Sequence, residues 1–199
     1  MTAFTYPAQP HIRRHGPRGY AALGSYRPWL RDEFAFRCVY CLLREQWGRV
    51  RRTFDIDHFR PIALSPQDVR EYDNLLYACG TCNATKGKRG VPDPTTVLLA
   101  PDVYVTQDGV IHAERSEAAR LIELLGLDSP QFTEFRMLWL GILALAERFD
   151  PPLYVRLMGF PDDLPNLAGL RPPGGNTRLD GVARSYFAQR AKGLLPLTY

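Results

Sequence analysis

The chain has 199 residues, 45% hydrophobic and 23% charged, with a formal net charge of +4 and an isoelectric point near 9.0. That length suits one well-buried core with appendages or two very small modules, and the ordinary balance of apolar and charged residues excludes a disordered chain. The mild positive charge inclines the protein towards anionic partners without identifying one.

Residues 1–27, rich in Pro, Gly, Arg and Tyr, read as an extended basic arm. They lack the apolar stretch of a secretory signal, so a reducing cytoplasm is expected. His11 and His15 in this arm, and His112 later, have no partner at ligand spacing, and solvent exposure is expected for all three. "RPWLRDEFAFR" reads as a short helix leading into Cys38. The stretch from Arg44 to Arg52 holds four Arg against one Glu, and Trp47 with Arg49, Arg51 and Arg52 suits either a grip on a nucleic-acid backbone or a solvated loop around a buried indole, the first being favoured. "FDIDHFRPI" alternates Phe54 and Ile56 with Asp55 and Asp57, the period of a half-buried strand that Pro61 ends. "NLLYACGTCNATKGKR" reads as a second strand running into a helix that opens near Thr81 and stops at Gly87 or Gly90. "VYVTQDGVIHA" predicts a β-hairpin on its Asp-Gly turn. Helices are expected over "SEAARLIELL" and "QFTEFRMLWLGILALAERF". The second of these holds the longest apolar run, too short to span a bilayer and expected to be core. "PPGG" at 172–175 reads as a linker before a last helix around "VARSYFAQRAKGLL".

All four cysteines fall in Cys-x-x-Cys pairs, Cys38 with Cys41 and Cys79 with Cys82. Two residues between ligands let one tight turn offer two sulfurs to one ion, and two such turns complete a zinc tetrahedron. A closed four-thiolate site has no open position, so the expected Zn²⁺ is structural. Between the pairs lie 37 residues, more than a plain ribbon needs, and that insert holds Asp57 and His58. Neighbours on a strand point to opposite faces, so both can serve one site only near a strand end or bend. Asn83 and Lys86, three apart on the helix, share a face.

The order Cys-x-x-Cys, Asp-His-Phe-x-Pro, Asn-Leu, Cys-x-x-Cys-Asn-x-x-Lys over residues 38–89 resembles the HNH endonuclease family. The resemblance implies an α+β fold. Its core would be a ββα-metal (HNH) finger braced by the four-cysteine zinc site, with a β-hairpin and C-terminal helices beyond. It implies His58 as general base, Asp57 and Asn83 as ligands of a catalytic ion, Asn74 orienting the His58 ring, and Lys86 near the phosphates. Two oxygen ligands suit Mg²⁺ or Mn²⁺ better than Zn²⁺. Asp55, on the same strand face as Asp57, is left between steering the metal and being a solvated acid.

The expected organisation is a basic arm at 1–27, the nuclease core at 28–92, and the hairpin with its helical extension, packed on the core, at 93–199. Double-stranded DNA is the expected partner, contacted by Arg49, Arg51, Arg52, Lys86, Lys88 and Arg89. The extension resembles that of small bacterial HNH nucleases, including some that accompany an ATPase in antiphage defence. An ATPase-like partner and a homodimer are both compatible with that likeness. The rival reading is a non-catalytic four-cysteine zinc module that binds nucleic acid or a protein.

Overall fold

The computed structural model describes residues 3–48 and 53–199 of the chain. Its first helix, α1 (Arg27–Glu33), takes a proline in its first turn and buries Trp29 and Leu30. The chain then bends tightly through Ala35 and Phe36, with Leu42 following at the far side of the first cysteine pair. All three have positive φ, 50°, 56° and 60°.

Strand β1 (Phe54–His58) pairs antiparallel with β2 (Leu75–Cys79), setting Phe54 opposite Cys79 and His58 opposite Leu75. Phe54 stacks on Tyr77 with ring centres 5.0 Å apart. β2 is buried along its whole length, which accounts for its unbroken apolar run. Helix α2 (Gly80–Lys86) follows without a loop and ends at Gly87, whose φ of 55° suits glycine. These three elements form the expected ββα unit.

Helix α3 (Pro94–Val97) leads to a second hairpin of β3 (Val103–Val105) and β4 (Ile111–Ala113). Gly109, in its Asp-Gly turn, has φ 81°, and a Cβ there would lie 2.5 Å from the Thr133 carbonyl oxygen. Helix α4 (Ser116–Leu125) buries Ala118, Leu121, Ile122 and Leu125 and stops at left-handed Gly126, where the Leu127 N–H reaches the Ile122 carbonyl. Helices α5 (Pro130–Phe149) and α6 (Pro151–Met158) pack on each other. The expected last helix is two, α7 (Asp180–Ala183) and α8 (Tyr186–Ala191), because the Ser185 side chain caps the second. No helix among the described residues is long and apolar enough to cross a membrane.

Four expectations need correction. Helix α5 is a core helix on one side only: Arg136, Leu143 and Ala146 are buried and Phe132, Phe135, Trp139 and Leu140 pack against the core, while Met137, Leu138, Leu145 and Phe149 are exposed. Its sequence is apolar on nearly every side, so periodicity could not say which side the fold covers. The N-terminal segment is not a free arm, since Ala3, Phe4 and Tyr6 belong to the core. Nor are its histidines solvated: His11 bonds Glu33 at 2.8 Å, and fully buried His15 bonds Asp32 at 2.9 Å. Residues 172–175 are pinned to the same segment, Arg18 N–H donating to the Gly175 carbonyl and Gly174 N–H to the Arg18 carbonyl, both at 2.9 Å.

Glu33 is the post to which that segment is tied. Its carboxylate accepts from His11, from the Arg14 and His15 N–H groups and from the Tyr72 hydroxyl. Burial works to raise its pKa, but the bonds from His11 and Arg14 outweigh it and hold the group at about 2. A depressed carboxylate contributes stability above the ordinary carboxyl range and loses it as pH falls towards its folded value. Glu33→Gln is therefore expected to lower the urea midpoint at pH 7, by a difference on the order of 3 kcal/mol. The gap from the unsubstituted chain should close as pH falls from about 4.5 to about 2. A gap independent of pH would contradict this assignment.

Candidate active site

The first cysteine pair sits in the turn after α1, where the Cys38 N–H donates to the Leu43 carbonyl and the Leu42 N–H to the Cys38 carbonyl. The Val39 N–H reaches the Tyr77 carbonyl and fixes this turn against β2. The second pair spans the β2–α2 junction, with Cys79 as the N-cap of α2 and its Sγ accepting from the Cys82 N–H. All four sulfurs are buried and lie within 4.8 Å of one another, Cys41 and Cys79 at 3.7 Å. Four thiolates about 2.3 Å from a zinc ion stand about 3.8 Å apart along the edges of a tetrahedron. The donor set and its spacing therefore fit zinc. Hydrogen bonds from the Cys38, Cys41 and Cys82 thiols pull the Cys79 thiol far below its usual range.

The side chains of Asp55 and Asp57 both lie against α2. Asp57 is 3% exposed. Its Oδ1 accepts from the Lys86 ammonium at 2.8 Å, and its Oδ2 from the Tyr40 hydroxyl at 2.6 Å. Burial, and then the Asp57 charge, push the Tyr40 phenol well above its usual range, so it stays a donor. The Lys86 ammonium also bonds the His58 carbonyl at 2.6 Å. One turn earlier on the helix, the Asn83 amide faces Asp55 Oδ2 at 3.4 Å, a long contact. Asp55, Asp57 and Asn83 thus place oxygen donors on one strand–helix face, the donor type that hard divalent cations take. Each Asp57 oxygen keeps one lone pair after its bond to Tyr40 or Lys86.

His58 is the last residue of β1. Its Nε2 lies 3.0 Å from the Val69 carbonyl oxygen. A carbonyl only accepts, so Nε2 carries the proton and Nδ1 is the basic nitrogen. Val69 belongs to the long loop between the strands, which Asn74 closes. Asn74 is buried, with its Oδ1 accepting from the Arg60 N–H and its Nδ2 donating to the Arg60 and Asp68 carbonyls. An Arg60–Asp68 ion pair at 2.8 Å braces the same loop.

The sequence-predicted residues therefore divide. The four cysteines come together, as do Asp57 with Lys86 and Asn83 with Asp55. Asn74 bonds the loop that carries Val69, and the described contacts of the His58 ring do not include it. Lys86 is 1% exposed and buried against Asp57, not turned out to a phosphate. Lys88 is exposed, whereas the Arg89 guanidinium folds back onto the Thr85 and Lys86 carbonyls at the end of α2. Arg49, Arg51 and Arg52 lie outside the described residues. Trp47 is used inside the fold, stacked on Trp139 at 4.4 Å and donating to the Leu157 carbonyl. Sequence reasoning missed Tyr40 and the Val69 carbonyl. The aromatic residue between two metal ligands was a usable signal for the first, and a backbone carbonyl gives none.

Residues 38–89, about a quarter of the chain, match the family model described as HNH endonuclease. No curated protein matches the sequence.

The ion pair makes a prediction that separates two roles for Lys86. Lys86→Met leaves a buried carboxylate without its cation and is expected to lower stability by about 3–5 kcal/mol in urea unfolding. A surface phosphate contact would instead leave stability unchanged and reduce only the salt dependence of nucleic-acid binding.

Proposed function

We propose, from the HNH endonuclease domain that residues 38–89 form, that this chain is a metal-dependent endonuclease hydrolysing phosphodiester bonds of DNA. The observation that carries this reading is His58, which follows Asp57 at the end of β1 with Nε2 committed to the Val69 carbonyl and Nδ1 left basic. Nδ1 takes the proton from a water as its oxygen attacks phosphorus, and the opposite ester oxygen leaves with the bonding pair. Asp57 and Asn83 would hold a Mg²⁺ or Mn²⁺ ion, with Asp55 beside Asn83 setting the amide's orientation. When bound, such an ion supplies Lewis-acid relief of charge on the phosphate and leaving oxygen. The Asn74-closed loop keeps the imidazole in one tautomer, and the zinc cluster keeps the strand and helix at a fixed separation. Exposed Lys88, with Arg49, Arg51 and Arg52, supplies sequence-independent phosphate contact. A role beside an ATPase in antiphage defence rests on the likeness of the extension alone.

One observation favours the second reading, a non-catalytic zinc module: both Asp57 oxygens already accept strong bonds. Supercoiled plasmid separates the two. Incubated with Mg²⁺ or Mn²⁺, the chain is expected to nick or linearise it, EDTA to stop the reaction, and His58→Ala to slow it by about a hundredfold or more. Equal cleavage by His58→Ala would contradict the assigned base. Metal-independent inertness of the unsubstituted chain towards DNA, with binding retained, would support the module.

A further inference from the structure

Helix α5 runs for 20 residues and buries one side through Arg136, Leu143 and Ala146. Its other side carries Met137, Leu138, Leu145 and Phe149 at 51%, 60%, 61% and 69% exposure. Beside this row runs a groove of about 660 Å³ walled by Met137, Gly141, Ala144 and Tyr154. Four such side chains expose on the order of 400 Å² of apolar surface, as much as a typical monomer shows in its largest patch, all on one helix.

The charges along the same face say what covers it. Glu134, Gly141 and Arg148 recur at intervals of seven, so they lie on one line along the helix, next to the line of Leu138 and Leu145. Glu134 and Arg148 are both exposed and, among the described residues, neither has an ion-pair partner. They stand about 21 Å apart along the axis, too far to meet within one helix. At the midpoint Gly141 has no side chain, and a Cβ there would find nothing within 4 Å.

We propose that α5 is the two-fold interface between two copies of this chain, packed antiparallel with Gly141 at the axis. That arrangement sets Glu134 of each copy against Arg148 of the other, twice, and interleaves Leu138 and Leu145 between them. A parallel pair would set like charges together at both ends. The glycine lets the helices approach closely. The apolar row, on the order of 400 Å², and the groove wall beside it make a contact at the small end of the range for specific interfaces. An unrelated protein or a lipid surface would have no use for opposite charges placed symmetrically about a glycine. The inference does not depend on the nuclease reading.

Sedimentation of the full chain tests it. A dimer is expected at micromolar concentration, and Leu145→Asp should weaken it by about tenfold or more. Glu134→Arg and Arg148→Glu should each weaken self-association, whereas an equimolar mixture of the two variants should restore it, because each variant supplies the charge that the other needs. All three positions are exposed, so unchanged circular dichroism should accompany each substitution. A monomer at about 100 µM overturns the proposal, as does a dimer indifferent to Leu145→Asp or a mixture no tighter than its parts. Binding of α5 to vesicles or to a different protein by a monomeric chain also overturns it.

Discussion

The arrangement of residues 38–89 depends on four sulfurs meeting at one point. Their two pairs are 37 residues apart in sequence, yet the sulfurs lie within 4.8 Å of one another. Closing so long a loop is costly in entropy, and metal binding can offset that cost because the binding free energy of such a cluster is folding free energy. The cluster also sets directions. Cys79 is at once a member of the cluster, the end of β2 and the N-cap of α2, so the helix leaves the hairpin at one angle. Tyr40 lies between two of the sulfurs, and its hydroxyl is thereby delivered to Asp57. The brace and the candidate active site are connected through a single side chain.

The adjacency of Asp57 and His58 follows from this frame. One residue of a strand faces α2 and the next faces away, so two neighbours have two environments. Asp57 is desolvated and would be costly as a bare charge, and Lys86 and Tyr40 compensate it from two different elements. His58, at the strand end, is held from the other direction by the loop that Asn74 closes. Lys86 joins the two, since one ammonium bonds the Asp57 carboxylate and the His58 carbonyl.

Local features were legible in the sequence. The cysteine pairs, the Asp-Gly hairpin, the helix over "SEAARLIELL" and a helix opening near Thr81 all come from chemistry within a few residues, and the structure has each of them, the last beginning one residue earlier at Gly80. What escaped depends on distant partners. His15 and His11 looked unpartnered because Asp32 and Glu33 lie 17 and 22 residues away. Lys86 looked like a phosphate ligand because its ion pair with Asp57 spans 29 residues. The Val69 carbonyl that fixes the His58 tautomer is backbone, and no residue type announces it. Helix α5 misled for another reason, since apolar residues on every side carry no record of which side the rest of the chain covers.

The role of His58 turns on which nitrogen of its ring carries the proton. Long-range ¹⁵N–¹H correlation spectra of the full chain, with His58 assigned through His58→Gln, would read it at pH 8. The neutral ring is expected to carry its proton on Nε2, leaving Nδ1 unprotonated and free to accept a proton from water. A ring protonated on Nδ1 would mean that the Val69 carbonyl does not hold it, and the assignment of His58 as the base would fail.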